Sequence, residues 1–116
     1  MKSLWKSSTK TTCKYNNKKT VYDGITFDSK KEAHRYYELK LMERAKVITD
    51  LKCQAPFTLI DKSKYGREIK YLADFTYYEN GLLVVEDVKS SVTKTPLYRL
   101  KKRLLAERYG IEIKEV

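Results

Sequence analysis

The chain has 116 residues and carries 25 Lys and Arg against 15 Asp and Glu, a formal net charge of +10. That length supports one packed domain and excludes two, and the charge favours a polyanionic partner. A single histidine, two cysteines without CxxC spacing, and no spanning apolar run or signal-peptide pattern exclude zinc-ribbon sites, Ser-His-Asp chemistry and a membrane span. The cytoplasm is the expected location, with Cys13 and Cys53 reduced.

Residues 1–19 are rich in Lys, Ser, Thr and Asn without apolar periodicity, and read as a flexible basic arm ahead of a single domain at 20–116. Lys2, Lys6, Lys10, Lys14, Lys18 and Lys19 precede the first acid, Asp23. Thr20-Val21-Tyr22 and Ile25-Thr26-Phe27 flank Asp23-Gly24, the pattern of a small β-hairpin. Ser29-Lys30-Lys31-Glu32 fits a capping box and opens a helix without Gly or Pro through Lys46. Ala33, Tyr37, Leu41 and Ala45, with Tyr36 alongside, predict its packing stripe. His34 falls among charged neighbours on that helix and reads as solvated.

Gln54 to Ile60 predicts a strand that Pro56 places at an edge or bulge. Ile69 to Tyr78 and Leu82 to Lys89 predict two more, joined through Glu79-Asn80-Gly81 with Asn-Gly as the turn. Leu82 to Val85 is apolar on both faces and predicts a central, doubly covered strand. Thr95 and Pro96 suit the start of a second helix that ends before Gly110. A last strand alternates through Ile111 to Val116. The order is that of an α/β fold with a mixed sheet.

The central hairpin carries the chemistry. Asp74 lies on one strand and Asp87-Val88-Lys89 on the next, so folding back at Asn80-Gly81 brings two carboxylates and an ammonium toward one spot. Hard oxygen ligands beside a lysine suit a divalent metal that activates water against a phosphodiester. Buried charges at the end of an apolar strand cost several kcal/mol unless compensated, which a metal site would do. Lys94, Arg99, Lys101, Lys102, Arg103 and Arg108 form a second basic cluster opposed by Glu107 alone, so basic stretches flank an acidic centre.

Four segments, Phe27-Asp28-Ser29-Lys30-Lys31-Glu32-Ala33, Tyr71-Leu72-Ala73-Asp74-Phe75, Val85-Glu86-Asp87-Val88-Lys89 and Tyr109-Gly110-Ile111-Glu112-Ile113, occur in that order on the expected elements. In this the chain resembles the restriction-endonuclease-like superfamily, the PD-(D/E)xK nucleases, over Ser29 to Val116. Ala73 stands where the superfamily's name has proline. Within the superfamily it is most similar to small phage and prophage proteins viewed as endonucleases or Holliday junction resolvases.

The resemblance implies an α-β-β-β-α-β core and a Mg²⁺-dependent endodeoxyribonuclease, with Mn²⁺ able to substitute. It implies Asp74 and Asp87 as metal ligands, the Val88 carbonyl as a third, and Lys89 as the residue that orients the attacking water and stabilises charge on the phosphate. Glu32 corresponds to a first-helix glutamate that completes the metal site in several branches; capping the helix is its competing role. Glu86 is expected to point away from Asp87 and pair with a cation. Gln54, Tyr98, Arg99 and Lys101, together with Lys94 and Lys102 of the basic cluster, are candidate DNA contacts, each with a solvated surface role as the alternative. The expected partner is DNA, branched in the most specific version, bound by a homodimer in a bacterial host cell. The alternatives are a non-catalytic DNA-binding module on a nuclease fold and a small interaction protein that uses its Tyr-rich surface.

Overall fold

A computed structural model describes residues 19–89 and 94–116. All of the basic arm except Lys19 lies outside the described residues, as does Cys13. The chain divides into two compact units, one ending at Arg35 and one running from Tyr36 to Val116.

In the first unit, β1 (Thr20–Tyr22) pairs antiparallel with β2 (Ile25–Phe27). Asp23 and Gly24 both have left-handed φ, 56° and 75°, the geometry whose twist matches flanking strands. Ser29 then accepts the Glu32 N–H on its hydroxyl at 3.1 Å, satisfying an orphan donor at the start of helix α1 (Lys30–Arg44).

In the second unit α1 ends without a glycine. Lys46 takes φ 64°, its N–H reaches the Glu43 carbonyl at 3.0 Å, and the Val47 N–H reaches the Met42 carbonyl at 2.9 Å. This is a Schellman closure on a lysine. The expected packing stripe of α1 is corrected in part: its Ala33 and Tyr36 are buried, but Tyr37 and Leu41 are each 44% exposed, and Leu39, outside the stripe, is buried. The helix turns its i, i+3 row inward, and Tyr36 stacks on Phe75 with centroids 6.3 Å apart.

Four strands follow as one mixed sheet: β3 (Thr49–Ile60), β4 (Ile69–Glu79), β5 (Leu82–Asp87) and β6 (Ile113–Glu115), in that spatial order. The β3–β4 and β4–β5 pairings are antiparallel and β5–β6 is parallel, joined through helix α2 (Pro96–Tyr109). Asn80 and Gly81 form the expected tight turn, with φ of 54° and 78° and Glu79 opposite Leu82. Thr95 caps α2 by accepting the Tyr98 N–H, Pro96 opens it, and Gly110 closes it in the left-handed region.

Two strand expectations change. β3 begins at Thr49 rather than Gln54, because the Glu43 carboxylate accepts the Leu51 N–H at 3.1 Å and holds the entry. Burial alternates from Asp50 through Phe57, although Asp50 and Gln54 take left-handed φ. β5 is central, but Leu82 and Leu83 at its start are exposed, and full burial begins at Val85. The tip of a hairpin extends past the layers that cover its middle.

The core cluster of Leu59, Tyr71, Ala73, Val85, Tyr98, Leu105 and Ile113 joins the sheet to α2. At its far end α2 is fastened to the outer strand. The Tyr109 hydroxyl donates to the Thr58 carbonyl at 2.7 Å, and Arg108 donates to the Leu59 carbonyl at 3.2 Å.

Candidate active site

Asp87 ends β5, the strand where antiparallel and parallel neighbours meet. Continuing the Phe75–Glu86 pairing by one step puts Asp74 across from it. There the regular ladder gives way to side chains. The Asp74 N–H donates to Asp87 Oδ1 at 3.1 Å, and the Val88 N–H donates to Asp74 Oδ2 at 2.9 Å. Each carboxylate thus takes a backbone donor from the other's strand, which locks the two acids into one unit.

The second oxygen of Asp87 accepts from the Tyr71 hydroxyl and lies 3.5 Å from Lys89 Nζ. Asp87 is only 1% exposed. Burial pushes its carboxyl above the ordinary value, and the Lys89 ammonium and the Asp74 N–H offset this only in part. Lys89 is itself positioned: its Nζ sits 4.4 Å from the centroid of the Tyr98 ring. The Lys89 N–H bonds the Val116 carbonyl at 3.1 Å and the Val116 N–H bonds the Asp87 carbonyl at 3.0 Å, so Val116, just past β6, steadies the backbone under the triplet.

Behind Lys89 stands a second layer. The Tyr98 hydroxyl donates to Glu115 Oε2 at 2.6 Å, and Glu115 also pairs with Lys94 at 3.1 Å and Lys102 at 3.2 Å. The Tyr98 hydrogen bond and then the two lysines lower the Glu115 carboxyl to about 2, while burial and the same carboxylate raise the Tyr98 hydroxyl. Tyr71 and Glu115 were not legible as site residues. Tyr71 reads as one core aromatic among ten tyrosines, and Glu115 as an ordinary solvent-facing position of an alternating strand.

The structure brings Asp74, Asp87, Val88 and Lys89 together. Tyr98, expected among the DNA contacts, is buried with its ring beneath Lys89. Lys94 and Lys102 are half-exposed and drawn onto Glu115. Lys101 is half-buried and Arg99 exposed on α2. Gln54 is exposed on β3, opposite Asp74, with a left-handed φ of 54°. Glu32 is buried on the first turn of α1, in the unit that ends at Arg35. Glu86 faces away from Asp87, fully buried, accepting from the Tyr77 hydroxyl with Lys114 Nζ at 4.0 Å.

The donor set suits a hard divalent cation. Two carboxylates and a nearby carbonyl are the oxygen ligands such an ion takes while keeping several waters. Among the described residues no group of three or more His, Cys, Asp or Glu side chains is placed to hold a metal. The compensation expected from a metal is partly supplied by the chain itself, through Tyr71, the Asp74 N–H and Lys89. No helix among the described residues is long and apolar enough to cross a membrane.

Fold and site together define a mixed α/β domain with an interlocked acid pair and a lysine at the end of its central strand. The chain belongs to the protein family of unknown function DUF1064, which it matches over residues 12–115. It matches no curated protein and no solved structure.

Proposed function

We propose that this protein is a metal-dependent endodeoxyribonuclease of the PD-(D/E)xK type, acting on branched DNA in the manner of a phage-type junction resolvase. The observation that carries the reading is the reciprocal lock of Asp74 and Asp87 with Lys89 Nζ 3.5 Å from Asp87. Asp74, Asp87 and the Val88 carbonyl would hold Mg²⁺ or Mn²⁺. The ion would supply a Lewis acid for the phosphate and a water of lowered pKa.

The chain's own residues do the rest. Lys89, steadied on the Tyr98 ring, orients the water and stabilises charge on the phosphate. Arg99, Lys101, Lys94, Lys102 and Gln54 hold the strand, with the net charge of +10 drawing DNA in. A homodimer in the bacterial cytoplasm would present two sites to the two strands of a junction.

One observation favours a second reading, a DNA-binding module without catalysis: both oxygens of Asp87 already have protein partners. The test incubates the protein with a four-way junction, a matched duplex and single-stranded DNA, in Mg²⁺, Mn²⁺ or EDTA, beside Lys89→Ala. Metal-dependent nicks that vanish in the variant support the nuclease. Tight binding without cleavage by the wild type refutes it and leaves the binding module.

A further inference from the structure

A cleft of about 690 Å³ lies between the sheet and the start of α2. Pro56 and Leu72, cross-strand partners on β3 and β4, lie on one side of it, and Leu97 with the capping Thr95 lies on the other. Tyr71 and Tyr98, both buried, line its depth, and Lys70 and Lys101 supply its charge. Leu72 and Leu97 are 55% and 61% exposed, so the apolar surface is offered to solvent rather than spent on the core.

Aliphatic walls, lysines beside them and a helix N-terminus together make a chemically mixed site. The walls suit the faces of a planar heterocycle, while Lys70, Lys101 and the start of α2 suit the phosphates on either side of it. A base stacked in a duplex presents no free face to such walls; an unpaired base does. The volume lies within the range of small-molecule sites and accommodates a nucleotide. Tyr71 links the cleft to the acids, since it lines the cleft and its hydroxyl donates to Asp87.

We infer that this cleft receives an unpaired nucleobase of a DNA strand, so that the protein selects single-stranded or branched DNA by capturing a base that duplex DNA keeps stacked. The inference rests on the nuclease reading only for the choice of DNA as occupant.

The experiment measures binding in EDTA, where no cleavage occurs, with the full chain. The probes are a single-stranded oligonucleotide and a junction with one unpaired position, each carrying 2-aminopurine, beside a fully paired duplex. Leu97→Ser and Leu72→Ser alter exposed side chains that the core does not use. Wild type is expected to change the 2-aminopurine fluorescence of the unpaired probes. Each variant is expected to weaken their binding roughly fivefold to tenfold and leave duplex binding unchanged. Variants that bind unpaired probes like wild type, or that lose duplex and unpaired binding equally, overturn the inference. Wild type that captures the base in EDTA yet cuts nothing in Mg²⁺ supports the cleft while the nuclease reading fails. Cleavage insensitive to both leucine substitutions does the reverse.

Discussion

Replacing Glu115 by Gln tests whether the layer behind Lys89 stabilises the fold through charge. Glu115 accepts from Tyr98 at 2.6 Å and pairs with Lys94 at 3.1 Å and Lys102 at 3.2 Å. The amide retains shape and one acceptor for the tyrosine but leaves the lysines facing each other without their anion. Hydrogen bonds to charged groups are worth roughly 1.5–3 kcal/mol. The Glu115 side chain is 24% exposed, so solvent screens the lysines, and a loss of about 1 kcal/mol is expected at pH 7. For a domain of this size that lowers Tm by about 4 °C.

The pH dependence follows from the same contacts. Glu115 titrates near 4.5 when unfolded and about 2 when folded, so the folded state binds its proton less readily. Its contribution is complete above the unfolded value and fades as pH falls toward 2. More than half of the deficit between wild type and Glu115→Gln is therefore gone by pH 3. Thermal melts followed by circular dichroism at pH 7, 5 and 3 measure it. A variant as stable as wild type at pH 7, or a deficit that stays constant down to pH 3, refutes the reasoning.

Tyr71→Phe removes the hydroxyl that donates to Asp87 and keeps the ring; cleavage of a junction in Mg²⁺ should fall about tenfold with DNA affinity in EDTA unchanged. An unaltered rate would show that the hydroxyl only fills the core. Leu39→Ala should cost about 2–5 kcal/mol in urea unfolding, because Leu39 is fully buried, whereas Leu41→Ala should change stability by less than about 0.5 kcal/mol. The reverse ranking would put the other face of α1 inward. Lys46→Gly should stabilise by roughly 0.5–1 kcal/mol, since glycine adopts the left-handed closure of α1 without strain; a loss in the same unfolding assay would show that the lysine side chain makes a compensating contact.

Element order and turns were legible in the sequence because local chemistry dictates them. Asp23-Gly24 and Asn80-Gly81 supply paired left-handed residues, and Ser29, Thr95, Pro96 and Gly110 mark helix ends through their own hydrogen bonds and backbone limits. The start of β3 and the end of α1 were hidden because Asp50, Gln54 and Lys46 adopt left-handed backbone without being glycine. The inward face of α1 was misread because Tyr37 and Leu41 are apolar yet exposed, and composition cannot say which row meets the sheet. At the site, spacing was enough to pair Asp74 with Asp87-Val88-Lys89. The parts that position them, Tyr71 across the ladder and Glu115 on β6, come from distant segments joined only by tertiary packing. Tyr98 was expected among the DNA contacts, but its burial depends on how α2 lies on the sheet.

β3 lies at the outer edge of the sheet, and an open edge invites another strand to zip along it. Here the carbonyls of Thr58 and Leu59 are occupied by Tyr109 and Arg108 from α2. Pro56 has no N–H to offer, and the ladder is irregular between Thr49 and Lys52, where Asp50 takes a left-handed φ. A second copy would therefore meet an interrupted template and would have to associate through side chains rather than a continued ladder. The same interruption keeps a long, partly apolar strand from seeding cross-β growth at high protein concentration.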